Sequence, residues 1–138
     1  VTMPRRIASY ADLKSVAAGP SGKPDVEHRL DLGFKMPYTW TLGGTTDAKG
    51  EDIRIERGQK VRFKMRNETM MPHPMHLHGH SFRPVLDGGA GPLKDTILVA
   101  PHHEVAIDFI ADNPGTWMFH CHNIYHAAAG MMRTVVVA

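Results

Sequence analysis

Alternation with a period of two runs through most of this chain, and it limits the fold more than any other feature. Between Lys60 and Arg66, the apolar Val61, Phe63 and Met65 alternate with Lys60, Arg62, Lys64 and Arg66. That is the pattern of a strand with one buried face and one basic, solvated face. Val26, His28, Leu30, Leu32 and Phe34 share one parity, so extended chain is expected from Asp25 onward. Residues 40–42, 53–55, 78–86, 96–100, 105–111, 115–121 and 131–137 read as further strands. Turn signals separate them at Gly43-Gly44, Gly58, Asp87-Gly88-Gly89, Gly91-Pro92, Pro101 and Asp112-Asn113-Pro114-Gly115. Roughly seven to nine short strands at this spacing predict an all-β antiparallel sandwich or barrel. Two short helices are expected, over 10–18 and 125–131.

A length of 138 residues accommodates one domain. Residues 1–24, punctuated by Pro4, Gly19, Pro20, Gly22 and Pro24, read as a linker or tether, and residues 25–138 as the domain. A chain that begins at Val1 without a charged-then-apolar leader reads as a mature form or as part of a longer protein. Sixteen basic and fourteen acidic side chains leave a net charge of +2 with no long run of either sign, which argues against a nucleic-acid partner. No apolar stretch approaches the roughly 18 residues of a membrane helix, so no membrane partner is expected. The single cysteine excludes an internal disulfide and any four-thiolate zinc site.

That cysteine sits among histidines. One window reads His73-Pro74-Met75-His76-Leu77-His78-Gly79-His80, and another reads His120-Cys121-His122-Asn123-Ile124-Tyr125-His126, followed by Met131. On a strand, His120 and His122 project to one face and Cys121 to the other. A turn past the strand end can swing His126 back towards Cys121, with the Met131 thioether above. Two imidazoles, a thiolate and a weak axial thioether are the ligands of a blue-copper electron-transfer centre, and His73 is the candidate for the second imidazole. His76 and His78 share a face if extended, and His73 has the opposite parity. The windows thus sort into two sites: His73, Cys121, His126 and Met131 in one, and His76, His78, His120 and His122 in the other. Zinc hydrolysis fits less well, since there is no HExxH and no Cys-x-x-Cys. No phosphate-cradling glycine loop or GxSxG elbow is present either.

The windows HPMHLHGHSF and GTWMFHCHNIYHAAAGMM resemble the two C-terminal copper signatures of the multicopper oxidases, the family of laccases, bilirubin oxidases and bacterial cuprous oxidases. The likeness runs through most of residues 25–138. It implies a cupredoxin-like Greek-key β-sandwich in the position of the family's last domain. Carried over residue by residue, it implies His73, Cys121 and His126 as equatorial type 1 copper ligands and Met131, rather than its neighbour Met132, as the axial one. It further implies His76 as a type 2 ligand and His78, His120 and His122 as type 3 ligands. The implied reaction removes single electrons from a small reducing substrate, a phenol or a metal ion. Four electrons then pass through Cys121, His120 and His122 to reduce dioxygen to two waters. A secreted or periplasmic setting is implied as well.

The family's trinuclear cluster takes eight histidines from four motifs, and this chain has two of those motifs. His28, His80, His102 and His103 form no further HxH pair. Completion of the cluster therefore calls for an N-terminal cupredoxin domain or chain, or for self-association across an isologous interface. The alternative is a single-domain blue-copper electron carrier or copper-binding protein, which needs only His73, Cys121, His126 and Met131. Met70, Met71 and Met75 flank His73; they could guide cuprous ions, but Met75 is expected inside and the other two in a loop.

Overall fold

The alternation at Lys60–Arg66 is realised as a strand whose Val61, Phe63 and Met65 are fully buried while Arg66 is exposed. The computed structural model describes residues 7–86 and 89–138. In chain order its strands are β1 (Val26–Arg29), β2 (Leu32–Lys35), β3 (Thr39–Leu42), β4 (Ile53–Ile55), β5 (Lys60–Arg66) and β6 (His73–Leu77). There follow β7 (Phe82–Leu86), β8 (Gly89–Ala90), β9 (Thr96–Val99), β10 (Glu104–Ile110), β11 (Gly115–Cys121), helix α1 (Ile124–Ala128) and β12 (Met132–Val137). One sheet has the order β1-β5-β10-β7-β8, the other β4-β12-β11-β6-β9, and β2-β3 form a separate hairpin. The pairings β1–β5 and β12–β4 are parallel; the other pairings are antiparallel.

The inner faces of the two sheets meet over aromatic rings. Phe63 of β5 contacts Phe109 of β10 and Phe119 of β11, each at 5.1 Å between centroids. All three are fully buried, and each ring contributes about 1.5–3 kcal/mol relative to an exposed one. Outside the sheets, Tyr10 packs against this core, Lys94 lies 4.9 Å over the Tyr10 ring, and Arg83 donates to the Ala17 carbonyl. Among the described residues, no helix is long and apolar enough to cross a membrane.

Several expected boundaries shift. The shared parity of Val26 to Phe34 spans two strands, because β1 pairs with β5 whereas β2 pairs with β3. The chain changes partner at Leu30-Asp31, where Leu30 donates to the Lys64 carbonyl and Asp31 accepts from Gly43. The strand expected over 78–86 begins only at Phe82, and the preceding strand ends at Leu77. Gly79 turns the chain between them with φ of 71°, and a Cβ there would strike the Trp117 indole. The helix expected over 10–18 is a single 3-10 turn at Tyr10–Asp12. The one over 125–131 is α1, stopped before Gly130, whose φ is 115°. Of the turn at Asp87-Gly88-Gly89, Asp87 and Gly88 lie outside the described residues.

Candidate metal centre

Strand periodicity sorts the histidines into two sets. Along β6, His73, Met75 and Leu77 are buried while Pro74 and His76 are less so; along the end of β11, Phe119 and Cys121 are buried and His120 is half-buried. The two strands are antiparallel neighbours, with His120 opposite His76 and Cys121 opposite Met75. The chain then closes back on itself. The Asn123 side chain caps α1 by accepting from the Tyr125 amide at 3.1 Å. The Met131 amide donates to the His126 carbonyl, and the Cys121 amide donates to the Met131 carbonyl. These bonds place His126 and Met131 beside Cys121, with Met131 fully buried.

In the interior, His73, Cys121 and His126 bring their ligand atoms within 4.8 Å of one another. The two Nδ1 atoms are 3.0 Å apart, and each lies 3.7 Å from Cys121 Sγ. Thr69 Oγ1 sits 2.7 Å from His73 Nε2 and 2.8 Å from Asn67 Oδ1. Its one hydrogen goes to Asn67, so the hydroxyl accepts from His73 Nε2–H. That tautomer leaves the His73 Nδ1 lone pair facing the thiol. Burial, with His126 alongside, pushes the His73 imidazole down to about 4, and burial lowers His126 too. Burial pushes the Cys121 thiol up, against a smaller opposite effect of the Asn123 backbone N–H. Two neutral imidazoles and a thiol that a bound cation would ionise form a nitrogen–sulfur donor set suited to copper. The Trp40 indole stacks on His126 at 4.0 Å and 27°, and meets His73 edge-on at 5.3 Å.

On the outward side of the same sheet, His76, His78, His120 and His122 gather. His78 and His120 point Nε2 at each other across 2.9 Å, and ring centroids from His76 to the other three are 4.7 to 5.6 Å. His76 Nδ1 bonds the Asp95 carbonyl at 2.9 Å, and His120 Nδ1 bonds the Cys121 carbonyl at 2.9 Å. A carbonyl only accepts, so each ring is protonated at Nδ1 and keeps Nε2 for a ligand. Burial and the other three rings hold His78 below its ordinary value. His122 is exposed.

The other sequence candidates fall elsewhere. His28 packs edge-on against Phe63, and His80 is buried with Nδ1 3.3 Å from the His78 carbonyl. His102 and His103 are exposed in the loop before β10. Met75 is fully buried, whereas Met70 and Met71 are exposed. Sequence reasoning missed Thr69 and gave Trp40 no role at the site. Thr69 lies four positions before His73, but a threonine at that distance carries no motif of its own; Trp40 arrives from β3, with no local signal at all.

A buried thiol–imidazole trio in a two-sheet sandwich is the copper-binding arrangement of a cupredoxin domain, and comparison with known proteins agrees. The family model described as Multicopper oxidase matches residues 20–138, and the chain belongs to that family of copper-dependent oxidoreductases. It is 40% identical over 130 residues to multicopper oxidase MmcO of Mycobacterium tuberculosis, covering 91% of this chain and 26% of that protein. It is 37% identical over 136 residues to copper resistance protein A of Pseudomonas syringae, covering 96% and 22%. Among solved structures, a multicopper oxidase from Pseudomonas thermotolerans matches with a TM-score of 0.72 at 29% identity, over 89% of this chain and 33% of that one. A mutant of the laccase from B. aclada shares the fold with a TM-score of 0.80 at 23% identity, over 98% and 33%. The chain spans about a quarter of the length of these curated relatives.

Proposed function

We propose that residues 25–138 form the C-terminal cupredoxin domain of a laccase-like multicopper oxidase, with residues 1–24 leading into it. His73, Cys121 and His126, with Met131, would hold the type 1 copper. His76 is the type 2 ligand, and His78, His120 and His122 are type 3 ligands, together half of a trinuclear cluster. The observation that carries this reading is the register of β11. Adjacent residues His120 and Cys121 face opposite sides of one sheet, so a single peptide unit joins the inner trio to the outer tetrad. A domain that only carried electrons would have no use for four clustered outward imidazoles, two of which, His76 and His120, carry their proton on Nδ1 and so keep an Nε2 lone pair to offer a metal.

Copper in the two sites would supply one-electron oxidation of a small reductant, phenolic or metallic, and four-electron reduction of dioxygen to water. The chain's own residues then divide the work. Thr69 fixes the His73 tautomer, Trp40 and the core keep water from the trio, and Cys121 with His120 and His122 forms the route between the sites. The tetrad is completed by an N-terminal cupredoxin domain or chain, or by a second copy of this chain. A secreted or periplasmic setting is part of the same reading.

Copper stoichiometry with paramagnetic resonance tests the reading. The expected result is one type 1 signal with an intense thiolate charge-transfer band in this chain alone, and dioxygen consumption only when a complementing domain is supplied. Copper that binds without the thiolate band refutes the inner assignment. Undiminished dioxygen reduction after removal of His120 and His122 refutes the outer one.

A further inference from the structure

His80 is the one histidine of its window that belongs to neither donor set, and one edge of its ring is buried with nothing to bind. The residue is 7% exposed, and among the described residues its buried Nε2 has no hydrogen-bond partner. Nδ1 lies 3.3 Å from the His78 carbonyl, which only accepts, so the proton sits on Nδ1 and Nε2 keeps a lone pair. Phe109 and Trp117 hold the ring from 5.4 and 5.9 Å between centroids. A buried acceptor without a donor is costly, so such an atom calls for a partner from outside the chain. His80 lines a cleft of about 350 Å³ together with Ser81 and Asp112, both exposed. Among the described residues that line it there is no lysine and no arginine.

We propose that this cleft binds a hydrated divalent transition cation of the zinc class, with His80 Nε2 and the Asp112 carboxylate as its protein ligands. The site goes beyond the copper reading and uses none of its donors. Imidazole nitrogen and carboxylate oxygen are both ligands of such ions, and the cleft leaves room for waters to complete the shell. Water alone would satisfy Nε2, but it would leave an acidic side chain uncompensated in a cleft that has no basic one. The two donors ride on loops that are already tied together. Asn113, next to Asp112, donates from Nδ2 to the carbonyl of Gly79, next to His80, at 3.0 Å. The Asn113 carbonyl in turn accepts from Trp117 Nε1 at 2.9 Å. Gly79, at φ of 71°, leaves no room for a Cβ beside that indole, so the turn holds one course. Donors fixed in advance lower the cost of binding. A bound ion would clip the turn after β6 to the chain just past β10.

The test adds Zn²⁺ to the copper-free chain and follows long-range proton–nitrogen spectra of the imidazoles, which read His80 apart from the histidines of the other two sites. His80 Nε2 is expected to move from the lone-pair position to the metal-bound one. In D112N, a change at an exposed side chain, the Zn²⁺ concentration for half of that shift should rise at least about tenfold, no less than the loss of a ligand-orienting partner costs. Equilibrium dialysis should find about one Zn²⁺ fewer per chain in H80Q than in the wild type, since a site is lost with its imidazole. The proposal is overturned if the His80 signal stays in place at millimolar Zn²⁺, which is the result for a cleft that holds water only. It is overturned as well if D112N titrates like the wild type, or if H80Q binds as much Zn²⁺ as the wild type. Should H80Q not fold, the wild-type and D112N spectra decide. None of these outcomes depends on how the inner trio or the outer tetrad handles copper.

Discussion

Replacing Thr69 by valine removes the hydroxyl that bridges Asn67 and His73. Valine matches threonine in shape but cannot accept from His73 Nε2–H, now bonded at 2.7 Å, nor donate to Asn67 Oδ1 at 2.8 Å. Thr69, His73 and Asn67 are all buried, so water does not replace the lost partner. A buried donor left unpaired costs about 1–3 kcal/mol, which lowers the melting temperature of the copper-free protein by about 5 °C in a domain of this size. The tautomer is also released, because the proton fixed on Nε2 can move to Nδ1 and occupy the lone pair a metal needs. Loss of such an orienting partner weakens metal binding roughly 10- to 100-fold. Copper(II) titration against a competing chelator measures the affinity, and a thermal melt of the copper-free protein measures the stability. Thr69→Ser keeps the hydroxyl and should restore copper affinity while losing only some packing. If Thr69→Val binds copper as tightly as the parent, or Thr69→Ser is as weak as Thr69→Val, the tautomer argument is wrong.

Protonation offers a second test. The native His73 value of about 4 lies below the ordinary 6.5, so the unfolded chain binds a proton that the native one refuses. Stability of the copper-free protein should therefore fall as pH drops from about 6.5 to 4, and His73→Gln should flatten that slope in denaturant titrations. The thiol is pushed up by burial, so copper uptake near neutral pH should release about one proton per site, read by calorimetry in buffers of different ionisation enthalpy. His120→Ala and His122→Ala should leave the thiolate band of the inner centre in place and abolish dioxygen reduction in the complemented enzyme. Gly79→Ala should destabilise by about 1–3 kcal/mol, because it adds a Cβ at φ of 71° against Trp117; a melt within 1 °C of the parent would contradict that.

Period-two patterning made the sandwich legible wherever a strand stays in one sheet with one face buried, as β5 and β11 do. It misjudged strand ends where the reason was tertiary. Leu30-Asp31 is a change of partner within an unbroken parity, and the end of β6 is set by the Trp117 ring over Gly79. The sorting of histidines was legible for the same reason, since His73 and Cys121 differ in parity from His76 and His120. The environment of the trio was not. Trp40 and Asn67 reach it from β3 and from the end of β5, and such contacts leave no trace in local spacing.

The hairpin of β2 and β3 belongs to neither sheet. Its root is fixed, with Leu32 and Leu42 fully buried and the Trp40 amide tied to the Ala129 carbonyl. Its tip, with Phe34, Met36 and Tyr38 exposed, packs little. Substitutions at the tip should therefore cost little stability, while the sandwich and its nitrogen–sulfur donors stay as they are. The appendage and the sheets that hold the donors can in that sense change independently, because the hairpin's fully buried anchors, Leu32 and Leu42, lie at its root.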